Sequence, residues 1–245
     1  KKRRSFRARL FEIRGEKFEV KSGQEAQQLV GDLQQSEYVV HDVRQSERRR
    51  NPSAPFTTST MQQESSRKLG FNARRTMAVA QQLYEGIDLG GQGEEAGPVG
   101  LITYMRTDSV ALAETAVAEI RAYIAQAFGP EYVPPTPPAY KTKTQKAQEA
   151  HEAIRPTSVR RTPDAIKQHL SNEQFRLYQL IWQRAVASQM TPAVLDTVSV
   201  DVLAGPKPAA EKPYLFRATG SRIRFKGFMA VCTEVRDEDA APADG

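Results

Sequence analysis

The sequence lacks the features that several common classes of protein require. Cys232 is the only cysteine in 245 residues, so neither an intramolecular disulfide nor a cysteine zinc cluster can form. No apolar run approaches the roughly 18–20 residues of a membrane span, and the basic start Lys1–Arg4 is not followed by the apolar core of a signal peptide. The Gly-rich stretch 90–97 has no lysine where a P-loop needs one, which argues against nucleotide binding.

Basic residues outnumber acidic ones in this chain. The formal net charge is +6 and the sequence pI is near 9.4, which favours an anionic partner such as nucleic acid. The length allows one large domain or two ordinary ones, each able to bury a core. The single cysteine fits a reducing cytoplasm. Because a natural chain rarely begins without Met on a basic strand pattern, we expect the sequence to be part of a longer protein.

Apolar and polar residues alternate at both ends of the chain, as they do in β-strands with one solvated face. The predicted strands are a hairpin over 4–20, a strand over 38–43, a strand over 194–202 and a hairpin over 214–232. We expect the last hairpin to turn at Gly220-Ser221. Between the first two, Ser22 and Glu25 match a capping box at the start of a short helix.

The middle of the chain has apolar residues at helical spacing. The predicted helices cover 56–69, 73–85 and 113–127, with a further signal from 164 and a strong core helix over 175–186. Their first boundary is marked by Pro52 and Pro55, because proline disfavours helix just before it. The predicted fold class is therefore α+β. A β-rich domain is formed by 1–50 and 193–235, a mainly helical domain over 51–192 is inserted into it, and 236–245 is an acidic flexible tail.

The stretch 100–110 concentrates groups that suit phosphate chemistry. Tyr104 follows a short apolar run, Arg106 lies two residues further on, and a dense polar cluster follows at 107–109. A phenol is a nucleophile once its proton is removed or shared, a guanidinium binds phosphate oxygens with a planar fork of donors, and a following helix N-terminus adds N–H groups. Spacing of this kind, taken by itself, more often marks a buried strand that ends in a Ser or Asp helix cap.

A second polar cluster lies at 150–157. It places His151, Glu152 and Arg155 within five residues, and these types serve proton transfer and phosphate binding. On composition alone, a surface loop with incidental charges is the commoner interpretation.

Both clusters resemble signatures of a known family. The string Ile102–Ser109 resembles the active-site signature of bacterial type IA DNA topoisomerases, and Ala150–Thr157 resembles a second signature of that family. The topoisomerase I branch fits better than the topoisomerase III branch, which usually has Pro at the position of Met105. Two further stretches are also similar to the family, Leu177–Trp182 and Ala187–Pro192.

The resemblance implies a fold and a mechanism. The β-rich domain would be an arch or hinge, and the inserted domain a winged-helix-like gate that bears the nucleophile. The resemblance implies transient cleavage of one DNA strand through a 5′-phosphotyrosine, passage of the other strand and religation, which relaxes negative supercoils without ATP. The implied catalytic residues are Tyr104, Arg106 and His151. The implied DNA-binding residues are Thr103, Arg106, Thr107, Asp108, Ser109 and Arg155.

The same resemblance implies parts that this sequence does not contain. The family binds Mg²⁺ through a TOPRIM domain with a Glu and an Asp-x-Asp motif, and it has a further winged-helix domain. The only Asp-x-Asp here is Asp237-Glu238-Asp239, in the acidic tail, where a solvated charge run is the better interpretation. We therefore expect no metal ligands in this chain, and we expect the chain alone to be catalytically incomplete.

Two other function classes are compatible with parts of the pattern. The helix pair over 56–85, with basic residues near its link, also fits a DNA-binding module without enzymatic activity. A tyrosine recombinase also uses Arg, His and Tyr, but there the Tyr lies far downstream, whereas Tyr104 precedes His151 and Arg155. For the topoisomerase interpretation, we expect DNA as partner, no membrane, and the bacterial cytoplasm near the nucleoid as location.

Overall fold

The computed structural model describes residues 5–90, 97–140, 152–207 and 212–231, and contains both helices and strands. The strands are β1 (Arg9–Ile13), β2 (Glu37–Arg50), β3 (Ile87–Asp88), β4 (Pro98–Val99), β5 (Ala193–Gly205) and β6 (Tyr214–Phe225). The helices are α1 (Gly23–Gln34), α2 (Thr58–Leu69), α3 (Ala73–Glu85), α4 (Glu114–Phe128), α5 (Pro163–Ile166) and α6 (Asn172–Ser188). His151 and the predicted tail 236–245 lie outside the described residues.

The chain divides into two compact units. One, which we call the β unit, consists of Lys1–Arg49 and Val194–Phe225; the other, the helical unit, consists of Arg50–Ala193 and Lys226–Gly245. The predicted end of the β-rich domain at residue 235 differs from this division. Residues Gly227–Ala230 form a 3₁₀ turn whose Phe228 is fully buried, and the Phe228 N–H donates a 3.0 Å hydrogen bond to the Thr191 carbonyl just past α6.

The β unit contains a four-stranded sheet in the order β1-β6-β5-β2. β5 and β6 pair antiparallel over nearly their whole length, from Leu195 opposite Ile223 to Ala204 opposite Tyr214. Consequently Gly220 lies in the middle of a strand, opposite Val198. The predicted hairpin over 214–232 is therefore wrong, because the alternating pattern identifies a strand without identifying its partner.

The predicted hairpin over 4–20 is also absent from the described part of the chain. Only Arg9–Ile13 of that range forms a strand, and it pairs with β6 instead. The helix predicted next is α1. Ser22 caps it by accepting a 3.2 Å hydrogen bond from the Glu25 N–H, while the Glu25 carboxylate reaches the backbone N–H of Lys21 at 2.9 Å. In a complete capping box the Glu25 carboxylate would accept from the N–H of Ser22, but here it accepts from the preceding residue, Lys21.

A carboxylate with two arginines ties β2, β5 and β6 together. The side chain of Asp201 on β5 is only 8% exposed and accepts hydrogen bonds of 2.6 and 2.9 Å from Arg217 on β6. Arg44 on β2 donates a third, of 2.5 Å. Hydrogen bonding from Arg217, helped by the positive charges of Arg217 and Arg44, lowers the pKa of Asp201 below its ordinary value.

The helical unit is built around α6. This helix contacts α2, α3, α4, α5 and the 227–230 turn, and it is the strong core helix that the sequence predicts. Its buried side chains are Leu177, Tyr178, Leu180, Ile181, Trp182, Ala185, Val186 and Ala187. Among the described residues, no helix combines the length and the apolar character that crossing a membrane requires.

Local signals begin and end the helices of this unit. The Thr57 side chain caps α2, which ends at Gly70 with φ 71°, a left-handed conformation that favours glycine. The Asn72 side chain caps α3 by accepting a 2.8 Å hydrogen bond from the Arg75 N–H. Ser171 and Gln174 form a complete capping box at α6. The helices predicted over 56–69, 73–85 and 113–127 are confirmed to within three residues.

We predict that Asp201→Asn destabilises the β unit by about 1.5–3 kcal/mol, the range for hydrogen bonds to charged groups. The folded-state pKa of Asp201 lies below that of the unfolded chain. Its contribution is therefore fully present above the unfolded value of about 3.9 and is lost as the pH falls below it. Hydrogen exchange of the β5 and β6 amides across this pH range measures the effect. In the Asp201→Asn variant, the loss of protection that Asp201 causes at low pH should be absent.

Asp196→Asn is the matched control, because Asp196 lies on the same strand with a side chain that is 36% exposed. Exposed ion pairs contribute about 0–1 kcal/mol, so we expect a smaller change. Equal protection losses for the two variants would contradict the role assigned to Asp201.

Candidate active site

The residues of the first signature lie in a loop of the helical unit. Residues 100–113 contain neither helix nor a named strand, apart from an isolated bridge between Ile102 and Pro156. The sequence pattern predicts a strand that passes directly into a helix. The structure differs, because α4 begins only at Glu114 and its N-cap, Ala113, has no side-chain cap.

Thr103 joins the two signatures. Its hydroxyl donates a 2.7 Å hydrogen bond to the Ala153 carbonyl and accepts one of 3.0 Å from the Arg155 N–H. Its own N–H donates to the Arg155 carbonyl at 2.9 Å. Thr103 is thus held by residues about fifty positions away, so the segment next to Tyr104 has a defined position relative to 153–155.

Thr58, in the first turn of α2, holds the other side of the loop. Its hydroxyl lies 2.8 Å from the Met105 carbonyl and 2.9 Å from the Thr107 N–H. Its backbone N–H donates to the Thr107 carbonyl at 2.9 Å. The backbone on both sides of Arg106 is therefore bound to one threonine.

Tyr104 is the exposed centre of this loop. Its side chain is 49% exposed and its ring meets that of Tyr84, at the end of α3, edge-on with 5.2 Å between centroids. Such aromatic pairs contribute about 0.5–1.5 kcal/mol beyond burial. The phenol ring is thereby packed against a second ring while about half of the residue stays exposed to solvent.

Arg106 follows the buried side chain of Met105 and is itself exposed. Met105 is 1% exposed, whereas Arg106 is exposed. Its guanidinium has no hydrogen-bond or carboxylate partner within the described part of the chain. An exposed guanidinium two residues from an exposed phenol can bind an anionic oxygen without first breaking an internal ion pair.

The remaining residues of the first signature differ in exposure. Asp108 is exposed. Ser109 is 4% exposed, and its hydroxyl accepts a 3.1 Å hydrogen bond from the Ala111 N–H. The Thr107 hydroxyl accepts one of 3.1 Å from the Ser109 N–H. The hydroxyls of Thr107 and Ser109 therefore shape the turn that follows Arg106.

Arg155 is held within the protein. Its Nε and Nη2 donate to the two carboxylate oxygens of Glu152 at 2.6 and 3.1 Å, and Nη1 donates to the Pro156 carbonyl at 2.9 Å. The side chain is only 14% exposed. Glu152 also accepts a 2.7 Å hydrogen bond from the N–H of Ala113, at the start of α4. This pair links the second signature to the helix that follows the first.

Two sequence predictions concern His151 and metal ligands, which the contacts described above do not include. His151, predicted to be catalytic, is outside the described residues, although its neighbour Glu152 lies at the site. Among residues 5–90, 97–140, 152–207 and 212–231, no three His, Cys, Asp or Glu side chains cluster as metal ligands do. No step below passes through a metal ion.

Sequence analysis singled out neither Thr58 nor Tyr84, which lie within predicted helices, and it named Glu152 for proton transfer without a structural partner. Their contacts are with residues 39–49 positions away, or 20 in the case of Tyr84. Only the folded chain reveals such contacts, because periodicity reports which face is buried and not what it meets.

Comparisons with known proteins agree with these signatures. A family model for DNA topoisomerases matches residues 3–243. DNA topoisomerase 1 of Xylella fastidiosa, from strains 9a5c and Temecula1 / ATCC 700964, is 49% identical over 245 residues. Full-length topoisomerase I from Thermotoga maritima, solved in a monoclinic crystal form, is 33% identical with a TM-score of 0.71, over 97% of this chain and 36% of that one.

The match extends over most of this sequence but only part of its relatives. It covers 98% of this chain and 29% of the length of each curated relative. Whole-chain agreement in sequence at 49% identity, together with the shared fold, establishes membership. The chain therefore belongs to the bacterial DNA topoisomerase I family of type IA enzymes.

Proposed function

We propose that Tyr104 cleaves one strand of DNA by attack on a backbone phosphate. The Tyr104 oxygen forms a bond to phosphorus, the bond from phosphorus to the 3′ oxygen breaks, and the proton lost by the phenol passes to that oxygen. The strand is then held as a 5′-phosphotyrosine. Reversal of the same step reseals it, so that no ATP is required. The observation that carries the proposal is a half-exposed Tyr104 phenol two residues from Arg106, whose guanidinium has no partner among the described residues.

Arg106 is the proposed phosphate-binding group of this chain. Its planar fork of donors suits the oxygens of a phosphodiester, and its charge offsets the negative charge that develops during transfer. Asp108 is exposed in the same loop and stays a proposed DNA contact. His151 remains the proposed proton relay or phosphate ligand, since an imidazole titrates near neutral pH.

The other predicted DNA-binding residues have internal hydrogen bonds that favour positioning roles. The hydroxyls of Thr103, Thr107 and Ser109 bind backbone groups, and the Arg155 guanidinium binds Glu152. We propose that these four residues shape the loop around Tyr104. Their direct contact with DNA stays a prediction.

The family suggests how the cleaved strand is used. We propose that the β unit is the arch and the helical unit the winged-helix-like gate, that the uncut strand passes through the break, and that negative supercoils are relaxed. We also propose that the complete protein uses Mg²⁺, bound by a TOPRIM domain outside this chain, and that it acts on chromosomal DNA in the bacterial cytoplasm. Its partners would be single-stranded segments of negatively supercoiled DNA and the TOPRIM and winged-helix domains of the same protein.

We predict that Tyr104→Phe in the complete protein that carries this sequence abolishes both relaxation and covalent adduct formation, because the attacking oxygen is removed. Gel assays on a negatively supercoiled plasmid and on a labelled oligonucleotide measure both. Tyr84→Phe is the control, since it removes a hydroxyl next to Tyr104 and keeps the ring contact. Retained activity in Tyr104→Phe would favour the alternative of a DNA-binding helical module without enzymatic activity.

The chemistry of the adduct separates the remaining classes. A 5′-phosphotyrosine supports the proposed function, whereas a 3′-phosphotyrosine is the product of a tyrosine recombinase. A binding module gives neither product, so one end-labelled substrate distinguishes all three.

We expect the purified 245-residue chain not to relax DNA efficiently, because the chain spans 29% of the length of its curated relatives and its described residues lack a metal cluster. The measurement is plasmid relaxation with added Mg²⁺, with the complete protein as positive control. Robust relaxation by the 245-residue chain would contradict this expectation.

We predict that Thr58→Val in the complete protein slows cleavage while DNA affinity stays nearly unchanged. Valine has a similar shape but cannot bind the Met105 carbonyl or the Thr107 N–H, which flank Arg106. A displaced catalytic loop costs about tenfold to a hundredfold in rate. Thr58→Ser restores the hydroxyl and should recover most of the rate. If Thr58→Ser and Thr58→Val are equally slow, the hydroxyl does not position the loop.

A further inference from the structure

We propose that Tyr84, Thr157, Arg160 and Arg161 form a surface that binds single-stranded DNA next to Tyr104. We call it the Tyr84–Arg161 surface. The proposal rests on the function proposed above, because it assigns a path for the strand that Tyr104 cleaves. None of the four residues was singled out as a DNA ligand from the sequence, and the two arginines lie outside the signature stretches 102–109 and 150–157.

A row of contacts joins Tyr104 to the far end of this surface. The ring of Tyr104 lies against that of Tyr84, with 5.2 Å between centroids. The Tyr84 carbonyl packs so closely on Gly100 that a Cβ there would lie 2.9 Å from its oxygen. The Gly100 carbonyl accepts a 2.7 Å hydrogen bond from the Thr157 hydroxyl, which itself accepts one of 3.1 Å from Arg161 Nη1. The nucleophile and Arg161 are thus connected through neighbouring groups.

The segment that carries the arginines is anchored to the core. The Tyr178 hydroxyl donates a 2.6 Å hydrogen bond to the Arg161 carbonyl, and Trp182 Nε1 donates one of 2.9 Å to the Val159 carbonyl. Both donors are on α6 and are buried. Burial raises the pKa of Tyr178 well above its ordinary value, so the phenol remains a donor at neutral pH. The backbone at 159–161 therefore has a fixed position.

The charge of this segment is available for an anion. Arg160 is exposed and Arg161 half-buried, and neither guanidinium has a carboxylate partner within the described residues. Other arginines of the helical unit differ, since Arg75 pairs with Glu173 and Arg155 with Glu152. A phosphate can therefore bind Arg160 and Arg161 without displacing an internal carboxylate.

The aromatic ring makes the surface selective for single strands. Tyr84 is 40% exposed although its ring packs against that of Tyr104. An exposed aromatic ring beside basic groups is the combination that binds unpaired bases by stacking and the backbone by charge. A base within a duplex is already stacked on both sides, so it has no free face to offer Tyr84.

The test measures binding of the complete protein that carries this sequence to a fluorescent single-stranded oligonucleotide over a range of salt concentrations. All samples carry Tyr104→Phe, so that no strand is cut. We expect Arg160→Ala and Arg161→Ala each to weaken binding and to reduce the slope of log affinity against log salt by about 0.7, the value for one phosphate contact on a single strand. Arg160→Lys and Arg161→Lys keep the charge and should keep most of the slope.

Arg74→Ala is the matched control. Arg74 is also exposed, has no carboxylate partner among the described residues, and lies on α3 with Tyr84. It is ten residues from Tyr84, which is about 15 Å along the helix axis. We expect its slope to remain that of the Tyr104→Phe parent. If Arg74→Ala reduces the slope as much as the other two alanine variants, DNA binds the helix pair instead and the proposal is wrong.

The stacking half of the proposal has its own test. Tyr84→Ala should weaken single-strand binding by about tenfold, in the range expected for one stacked base, while Tyr84→Phe should not. Probes with one abasic nucleotide at successive positions should include one for which Tyr84→Ala has no further effect. An equal loss on every probe, or on duplex DNA, would overturn single-strand stacking on Tyr84.

A final arm separates this inference from the proposed function. With Tyr104 intact and oligonucleotide at saturation, the unmodified protein should form the 5′ adduct. If the unmodified protein forms no adduct, the proposed function fails. If it does, but the alanine variants keep the parental salt slope, the Tyr84–Arg161 surface alone is refuted.

Discussion

The site depends on main-chain hydrogen bonds between three segments that are far apart in sequence. Phe56 and Thr58 lie in the first segment, residues 101–107 in the second and 154–157 in the third. The bonds run from Ile154 N–H to the Phe56 carbonyl, Thr103 N–H to Arg155, Thr157 N–H to Leu101, and Thr58 N–H to Thr107, at 2.9–3.0 Å. Each such bond adds only about 1 kcal/mol, yet leaving a buried partner unpaired costs more. The loop that carries Tyr104 is therefore fixed without regular secondary structure.

Elements set by neighbouring residues could be predicted from the sequence. Helices α2 and α3 lie within two residues of their predicted bounds, because the local caps Thr57, Gly70 and Asn72 set their ends. The hairpins at the two chain ends were wrong, because alternation shows that a segment is a strand and leaves its partner open. β6 pairs with both β1 and β5, and those partners are about 200 and 20 residues away along the chain.

The sequence predicts the reactive groups of the candidate site but not their surroundings. Tyr104 and Arg106 are exposed in one loop, as a site for an external phosphate requires. The sequence could not show that the hydroxyls of Thr103 and Ser109 bind the backbone, since a Thr or Ser reads the same whether it faces solvent or the chain. Nor could it predict that Tyr84 packs against Tyr104, because helical spacing shows that a position is buried without showing which residue it contacts.

The bonds that define the loop have a consequence for how the family can diverge. A main-chain N–H or carbonyl is the same for almost every residue type, proline excepted. Side chains at Leu101, Ala153 and Ile154 can therefore be exchanged for others of similar volume without loss of the cross-links that run through their backbone. We expect exchange to be resisted where the side chain itself supplies the bond, above all at Thr58 and Thr103. Exchange of this kind leaves the hydrogen-bonded backbone in place, and the Thermotoga maritima enzyme has a similar fold at 33% identity.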